Sequence, residues 1–137
     1  MDNSPSRAEA SKPVVLLIED EASVRRPMVI SLTRAGFEVI EASSAAEGMA
    51  QWEAHQLRIS AVISDNMLGA GPTGLTLLRQ FCEARSMLPT ILISGVLTID
   101  VMQRIESAST VRCLQKPFDP RTLVDLLNKR MKDLGGA

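Results

Sequence analysis

Val14-Val15-Leu16-Leu17-Ile18-Glu19-Asp20-Glu21 is an apolar run that stops abruptly at adjacent carboxylates. Uncharged aliphatic residues in unbroken succession suit a strand covered on both faces, as in a parallel sheet. Glu19, Asp20 and Glu21 then stand where that strand leaves the core. In open α/β sheets ligands bind at the carboxyl ends of strands. Acids clustered at such an end repel one another unless a cation or a proton offsets them. The stretch therefore predicts a site for a hard cation, with Mg2+ the best match.

Outward from this stretch the same pattern recurs. Apolar runs at 14–19, 37–41, 59–64, 90–94 and 111–115 read as strands, and segments near 23–35, 44–55, 74–85, 98–107 and 120–133 read as helices. Strict alternation of strands and helices predicts βα units with right-handed connections and an α/β fold with a parallel sheet. Ser23 is placed to cap the first helix, and Pro27 removes a backbone donor from it. Gly36 is predicted to end that helix in a left-handed conformation. Asp119-Pro120 reads as an N-cap followed by proline at the first helical position. Leu123, Leu126, Leu127 and Met131 trace one apolar stripe on the last helix, which Gly135 and Gly136 are expected to stop.

The chain has 137 residues, enough for one domain and hardly two. Residues 1–12 are polar and contain Pro5, and read as a tail or linker preceding a domain at 13–134. Only Ala137 follows the final glycines, so no output domain is expected. Apolar residues make up 45% and charged residues 23%, ordinary values for a soluble globular protein. The net charge of -1 gives no electrostatic case for nucleic acid as a direct partner. One Trp, three Phe and no Tyr leave little for base stacking. Cys82 and Cys113 lie far apart among apolar residues and read as reduced, buried thiols. No membrane span and no signal peptide are visible, which predicts a cytoplasmic protein.

Four features fall at predicted strand ends: Glu19-Asp20, Asp65, Ser94 and Lys116. In a sheet ordered 2-1-3-4-5 the strands bearing them adjoin, and all four converge on one crevice. Carboxylates with a few waters satisfy Mg2+, which also binds a phosphoryl oxygen. Lys116 supplies a compact positive charge to the same group, and the Ser94 hydroxyl a hydrogen bond. Aspartate can form an acyl phosphate. Asp65 is the best candidate nucleophile, because it stands alone at the centre while Glu19 and Asp20 remain metal ligands.

These residues resemble the receiver domain of two-component response regulators, the CheY-like superfamily. The resemblance rests on the acidic pair Glu19-Asp20, the acceptor Asp65, Ser94 in the Thr/Ser position and Lys116 in Lys116-Pro117-Phe118, and covers about residues 13–134. It implies a flavodoxin-like (βα)5 fold and a histidine-to-aspartate phosphorelay. A histidine kinase or histidine phosphotransfer protein would phosphorylate Asp65. Mg2+ would be held by Glu19, Asp20, Asp65 and the backbone carbonyl of Met67. Ser94 would move toward the phosphate and alter the surface of the fourth helix, fifth strand and fifth helix, so that a downstream protein partner reads the change. On this reading the domain is a switch and not an enzyme beyond gaining its own phosphate and losing it to water.

Three departures from the family pattern are visible. Cys113 stands where the family usually has a switch aromatic. The segment from Asp65 to Gly74 is about one residue longer than the common form, is rich in glycine, and resembles the loop of receivers attached to hybrid histidine kinases. Glu19 replaces the first Asp of the commonest pair. The alternatives are a degenerate receiver serving as a protein-binding scaffold and a Mg2+-dependent phosphatase with an aspartyl nucleophile. The second usually needs an Asp two residues after the nucleophile, where this chain has Met67. Of the remaining polar groups, Glu21 is left outside the site, His55 is read as a solvated helix end, and Arg25 and Arg26 as the solvated side of the first helix. Trp52 is expected to pack partly into the core.

Overall fold

Every side chain of Val14–Ile18 is buried, which requires strands on both sides and helices on both faces. The computed structural model, which describes residues 12–134, provides both. In chain order the elements are β1 (Val14–Ile18), α1 (Ala22–Arg34), β2 (Glu38–Ala42), α2 (Ala45–His55), β3 (Ile59–Asp65), α3 (Gly74–Ala84), β4 (Thr90–Ser94), α4 (Ile99–Ala108), β5 (Val111–Gln115) and α5 (Pro120–Asp133). The strands pair in parallel in the order β2-β1-β3-β4-β5. This is the predicted flavodoxin-like (βα)5 sandwich.

Because successive strand side chains point to opposite faces, the core divides in two. Leu16, Ile18, Val62 and Leu92 pack toward α2, α3 and α4. Val15, Leu17, Ile63 and Ile91 pack against Met28, Leu32, Leu123 and Leu127 of α1 and α5. Trp52 is more deeply placed than expected: it is 5% exposed and stacks on Phe81 with ring centroids 4.4 Å apart. Among the described residues no helix is long and apolar enough to cross a membrane.

Two local expectations need correction. The N-cap of α1 is Glu21, with no side-chain cap bond, and Ser23 lies exposed inside the first turn. The chain turns at Glu21 because its carbonyl already accepts the N–H groups of Val24 and Arg25. The second strand starts at Glu38 and not at Phe37. Gly36 has φ +100°, the left-handed conformation expected of it. It lets Gly36 N–H bond to Thr33 O and Phe37 N–H to Leu32 O, at 3.1 and 3.0 Å. Phe37 is thereby committed to the helix end. Asp119 caps α5 as predicted, accepting from Arg121 N–H at 2.9 Å. Residues 1–11 and the expected helix stop at Gly135 and Gly136 lie outside the described residues.

The start of α3 presses on the end of β3. A Cβ on Gly74 would run into the Asp65 carbonyl oxygen and come within 2.7 Å of Ser64 Oγ. Asn66 closes the neck of the intervening loop, its carbonyl accepting from Gly74 N–H at 2.9 Å and its Oδ1 from Leu75 N–H at 3.3 Å. Gly74→Ala is therefore expected to cost about 1–3 kcal/mol, as overpacking of a tight site does, read from the urea midpoint. An unchanged midpoint would show that α3 can withdraw without penalty.

Candidate acidic site at the strand ends

The parallel ladder runs one residue past β1, β3 and β5. Glu19 N–H bonds to Ala42 O at 3.0 Å, Asn66 N–H to Ile93 O at 2.9 Å and Lys116 N–H to Ser94 O at 2.9 Å. These bonds fix the backbone where the chain leaves the sheet. They gather the side chains that the sequence singled out. Lys116 Nζ lies 3.0 Å from Glu19 Oε1 and 3.2 Å from Asp65 Oδ2. Glu19, Asp20 and Asp65 each offer a carboxylate oxygen within 4.8 Å of the others. Glu19 and Asp65 are buried and Asp20 is exposed.

Glu21 stays outside this group: its side chain is exposed, while its N–H donates to Glu19 Oε2 at 3.2 Å. Ser94 is buried at the end of β4, and its Oγ accepts from the N–H groups of Val96 and Leu97, both at 3.2 Å. The serine thus holds the turn that leads into α4. Met67 is 59% exposed in the loop after β3. The Lys116–Pro117 peptide is cis.

Burial is the largest influence on Glu19 and pushes its carboxyl up to about 7. The hydrogen bond from Lys116 opposes this, while a hydrogen bond with Asp20 and the charge of Asp65 reinforce it. Burial also pulls the Lys116 ammonium down, but hydrogen bonds and attraction from Glu19 and Asp65 prevail and leave it raised. Burial thus outweighs the support that Lys116 gives the Glu19 carboxylate. All the donors are hard oxygens, which suits Mg2+ and not a soft metal.

Cys113 is half-buried and faces α4, its Sγ 3.9 Å from Met102 O. Its N–H donates to Glu106 Oε2 at 2.8 Å. Burial, with Glu106 adding to it, pushes the thiol up to about 11, so it stays protonated near neutrality. Cys82 is likewise free.

Arg25 is not on the solvated side of α1. Its Nη1 donates to the Glu19 carbonyl at 2.7 Å and its Nε to Glu41 Oε1 at 2.8 Å. Neither acceptor is on its own helix, so helical periodicity could not reveal the role.

Residues 15–128 match the family described as Response regulator receiver domain. The chain belongs to that family. Receivers bind Mg2+ at an acidic pocket and work with histidine kinases or phosphotransfer proteins, and this chain has an acidic cluster of Glu19, Asp20 and Asp65. The transcriptional regulatory protein FixJ of Rhizobium meliloti (strain 1021) is 25% identical over 123 residues, 90% of this chain and 59% of FixJ. The receiver thus spans about three-fifths of the length of that relative. The receiver domain of the hybrid histidine kinase CckA is 30% identical with a TM-score of 0.71, over 86% of this chain and 98% of that one. A response regulator receiver protein from Sinorhizobium medicae WSM419 shares the fold with a TM-score of 0.80 and 23% identity, over 91% of this chain and 98% of that one.

The raised Glu19 carboxyl has a pH consequence. In metal-free protein the folded state holds this proton up to about pH 7, whereas an ordinary glutamate releases it near 4.5. Stability from this group is thus full below about 4.5 and is lost as pH rises through 7. Wild type in EDTA is expected to lose stability relative to Glu19→Gln across that window and to run parallel above it. Denaturant midpoints measured from pH 4 to 8 would show parallel curves throughout if burial did not shift Glu19.

Proposed function

We propose that Asp65 accepts a phosphoryl group from a phosphohistidine of a histidine kinase or histidine phosphotransfer protein, and that the phosphorylated domain signals by binding a downstream protein. The observation carrying this reading is Lys116 Nζ seated between Glu19 Oε1 and Asp65 Oδ2, at 3.0 and 3.2 Å, beside Asp20. A nucleophilic carboxylate, further acids and a fixed ammonium then share one strand-end crevice.

An Asp65 carboxylate oxygen attacks phosphorus, an O–P bond forms, and the P–N bond to the donor imidazole breaks. Its electron pair returns to that nitrogen, while the proton on the other ring nitrogen keeps the departing imidazole neutral. Lys116 stays with the phosphoryl oxygens as the phosphoryl group moves onto Asp65, and the rigid strand ends keep the partners in line. Glu19, Asp20, Asp65 and the Met67 carbonyl would hold Mg2+, which supplies charge neutralisation for the incoming phosphoryl group. Ser94 donates its hydroxyl proton to a phosphoryl oxygen, loosening its hold on Val96 and Leu97 and so shifting the start of α4. Hydrolysis of the acyl phosphate resets the domain, and no other substrate is turned over. On this reading the protein works in the cytoplasm, alongside such donors. Met67 cannot serve as the acid-base group of an aspartyl phosphatase, because a thioether carries no titratable proton.

With Mg2+ and acetyl phosphate, wild type is expected to gain one acid-stable, base-labile phosphate by mass spectrometry, and Asp65→Asn none. A wild type without the adduct, or a variant that keeps it, would sink this reading.

The donor protein needs a surface next to Lys116. A groove between α1 and α5, bordered by Pro27, Ile30 and Pro120, continues to Phe118 and Lys116. Ile30 is 43% exposed there. Ile30→Glu is expected to slow transfer from a phosphorylated histidine phosphotransfer protein about 10-fold or more, the size of a lost interface anchor. Its reaction with acetyl phosphate should be unchanged. Equal slowing with both donors would place the effect in the site itself.

A further inference from the structure

We propose that Arg25 is a positioning residue of the acidic site: its guanidinium grips the Glu19 carbonyl and so sets the peptide that turns Glu19 and Asp20 toward Asp65. The proposal rests on the reading of those two acids as Mg2+ ligands.

Glu19 is the most completely bonded residue of the site. Its N–H is taken by Ala42 O, its Oε1 by Lys116 and its Oε2 by Glu21 N–H. Its carbonyl lies beyond the end of β1, where the chain bends away and α1 has not begun. Arg25 Nη1 fills that need at 2.7 Å, a short charge-assisted bond. The second anchor is Glu41, the residue of β2 in register with Leu17, which takes Nε at 2.8 Å. The guanidinium therefore spans the carboxyl ends of β1 and β2 with two donors held in one plane. The side chain is only 18% exposed, and it touches no carboxylate of the acidic group. Any influence on the site passes through the Glu19–Asp20 peptide. Lysine offers a point charge and cannot aim two donors from one plane, so Arg25→Lys keeps the charge while losing the geometry.

The test is Mg2+ affinity, measured by isothermal titration calorimetry below the melting temperature. Arg25→Ala and Arg25→Lys are expected to weaken Mg2+ binding about 10-fold, the lower end of what loss of a group supporting a metal ligand costs. Phosphorylation by acetyl phosphate should require correspondingly more Mg2+ and reach a near wild-type rate at saturation. Glu41→Ala removes the ion pair but keeps the carbonyl bond, and its Mg2+ affinity should stay near wild type. Wild-type affinity in both Arg25 variants would overturn the proposal. So would an equal loss in Glu41→Ala, which assigns the effect to the ion pair. A wild type that binds Mg2+ but takes no phosphate overturns the proposed function and leaves the positioning role standing. A wild type that binds no Mg2+ overturns both.

Discussion

A lysine ammonium held between two buried carboxylates sets the terms for the rest of this molecule. Lys116 comes from the end of β5, Glu19 from just beyond β1 and Asp65 from the end of β3. Burying an unpaired carboxylate costs several kcal/mol, and a partner with good geometry offsets much of that. The pairing therefore depends on every strand between β1 and β5 ending at the right level, and the ladder bonds past the strand ends enforce this. The offset is incomplete, as the raised Glu19 carboxyl shows. Ionising Glu19, Asp20 and Asp65 together against one lysine would leave a surplus of negative charge, which a divalent cation is the species best able to relieve.

Much of this was legible in the sequence because burial and charge leave local traces. The runs at 90–94 and 111–115 read as strands at their observed bounds, since turn residues flank each: Pro89 and Gly95 for the first, Ser109, Thr110 and Pro117 for the second. Glu19, Asp20, Asp65 and Lys116 could be brought together because strand alternation fixed the sheet and the sheet fixed which ends adjoin. What escaped was made of bonds between side chain and backbone across elements. Ser23 looked like a cap by residue type, yet the Glu21 carbonyl already organises that turn. Phe37 looked like a strand residue, but Gly36 commits its N–H to Leu32. Arg25 looked like a solvated helix charge, although both of its acceptors lie on the sheet side. Trp52 was underrated because stacking on Phe81 of a neighbouring helix leaves no periodic signature.

The path from the site toward α4 is carried mostly by backbone. Ser94 Oγ holds two amides of the turn, and Thr98 then caps α4 by accepting from Val101 N–H at 3.2 Å. Moving the serine hydroxyl therefore disturbs the segment that seats the helix. On the far side α4 is fastened to β5 by Glu106 and by the contact of Cys113 with Met102 O. A small thiol at position 113 has no ring to swing between a buried and an exposed pose. On the proposed reading, change in α4 is expressed through its backbone attachments.

The bond from Cys113 N–H to the Glu106 carboxylate has a bearing on solution behaviour as well. β5 is an outer strand of the sheet, and unpaired N–H groups along such an edge are templates for another chain's strand. Glu106 occupies one of these donors and sets a negative charge in the path of an approaching strand. At the opposite margin, β2 presents Glu38 and Glu41, each paired with an arginine. Both open margins of the sheet thus carry charge, a disposition that guards a parallel sheet against edge-to-edge aggregation at high protein concentration.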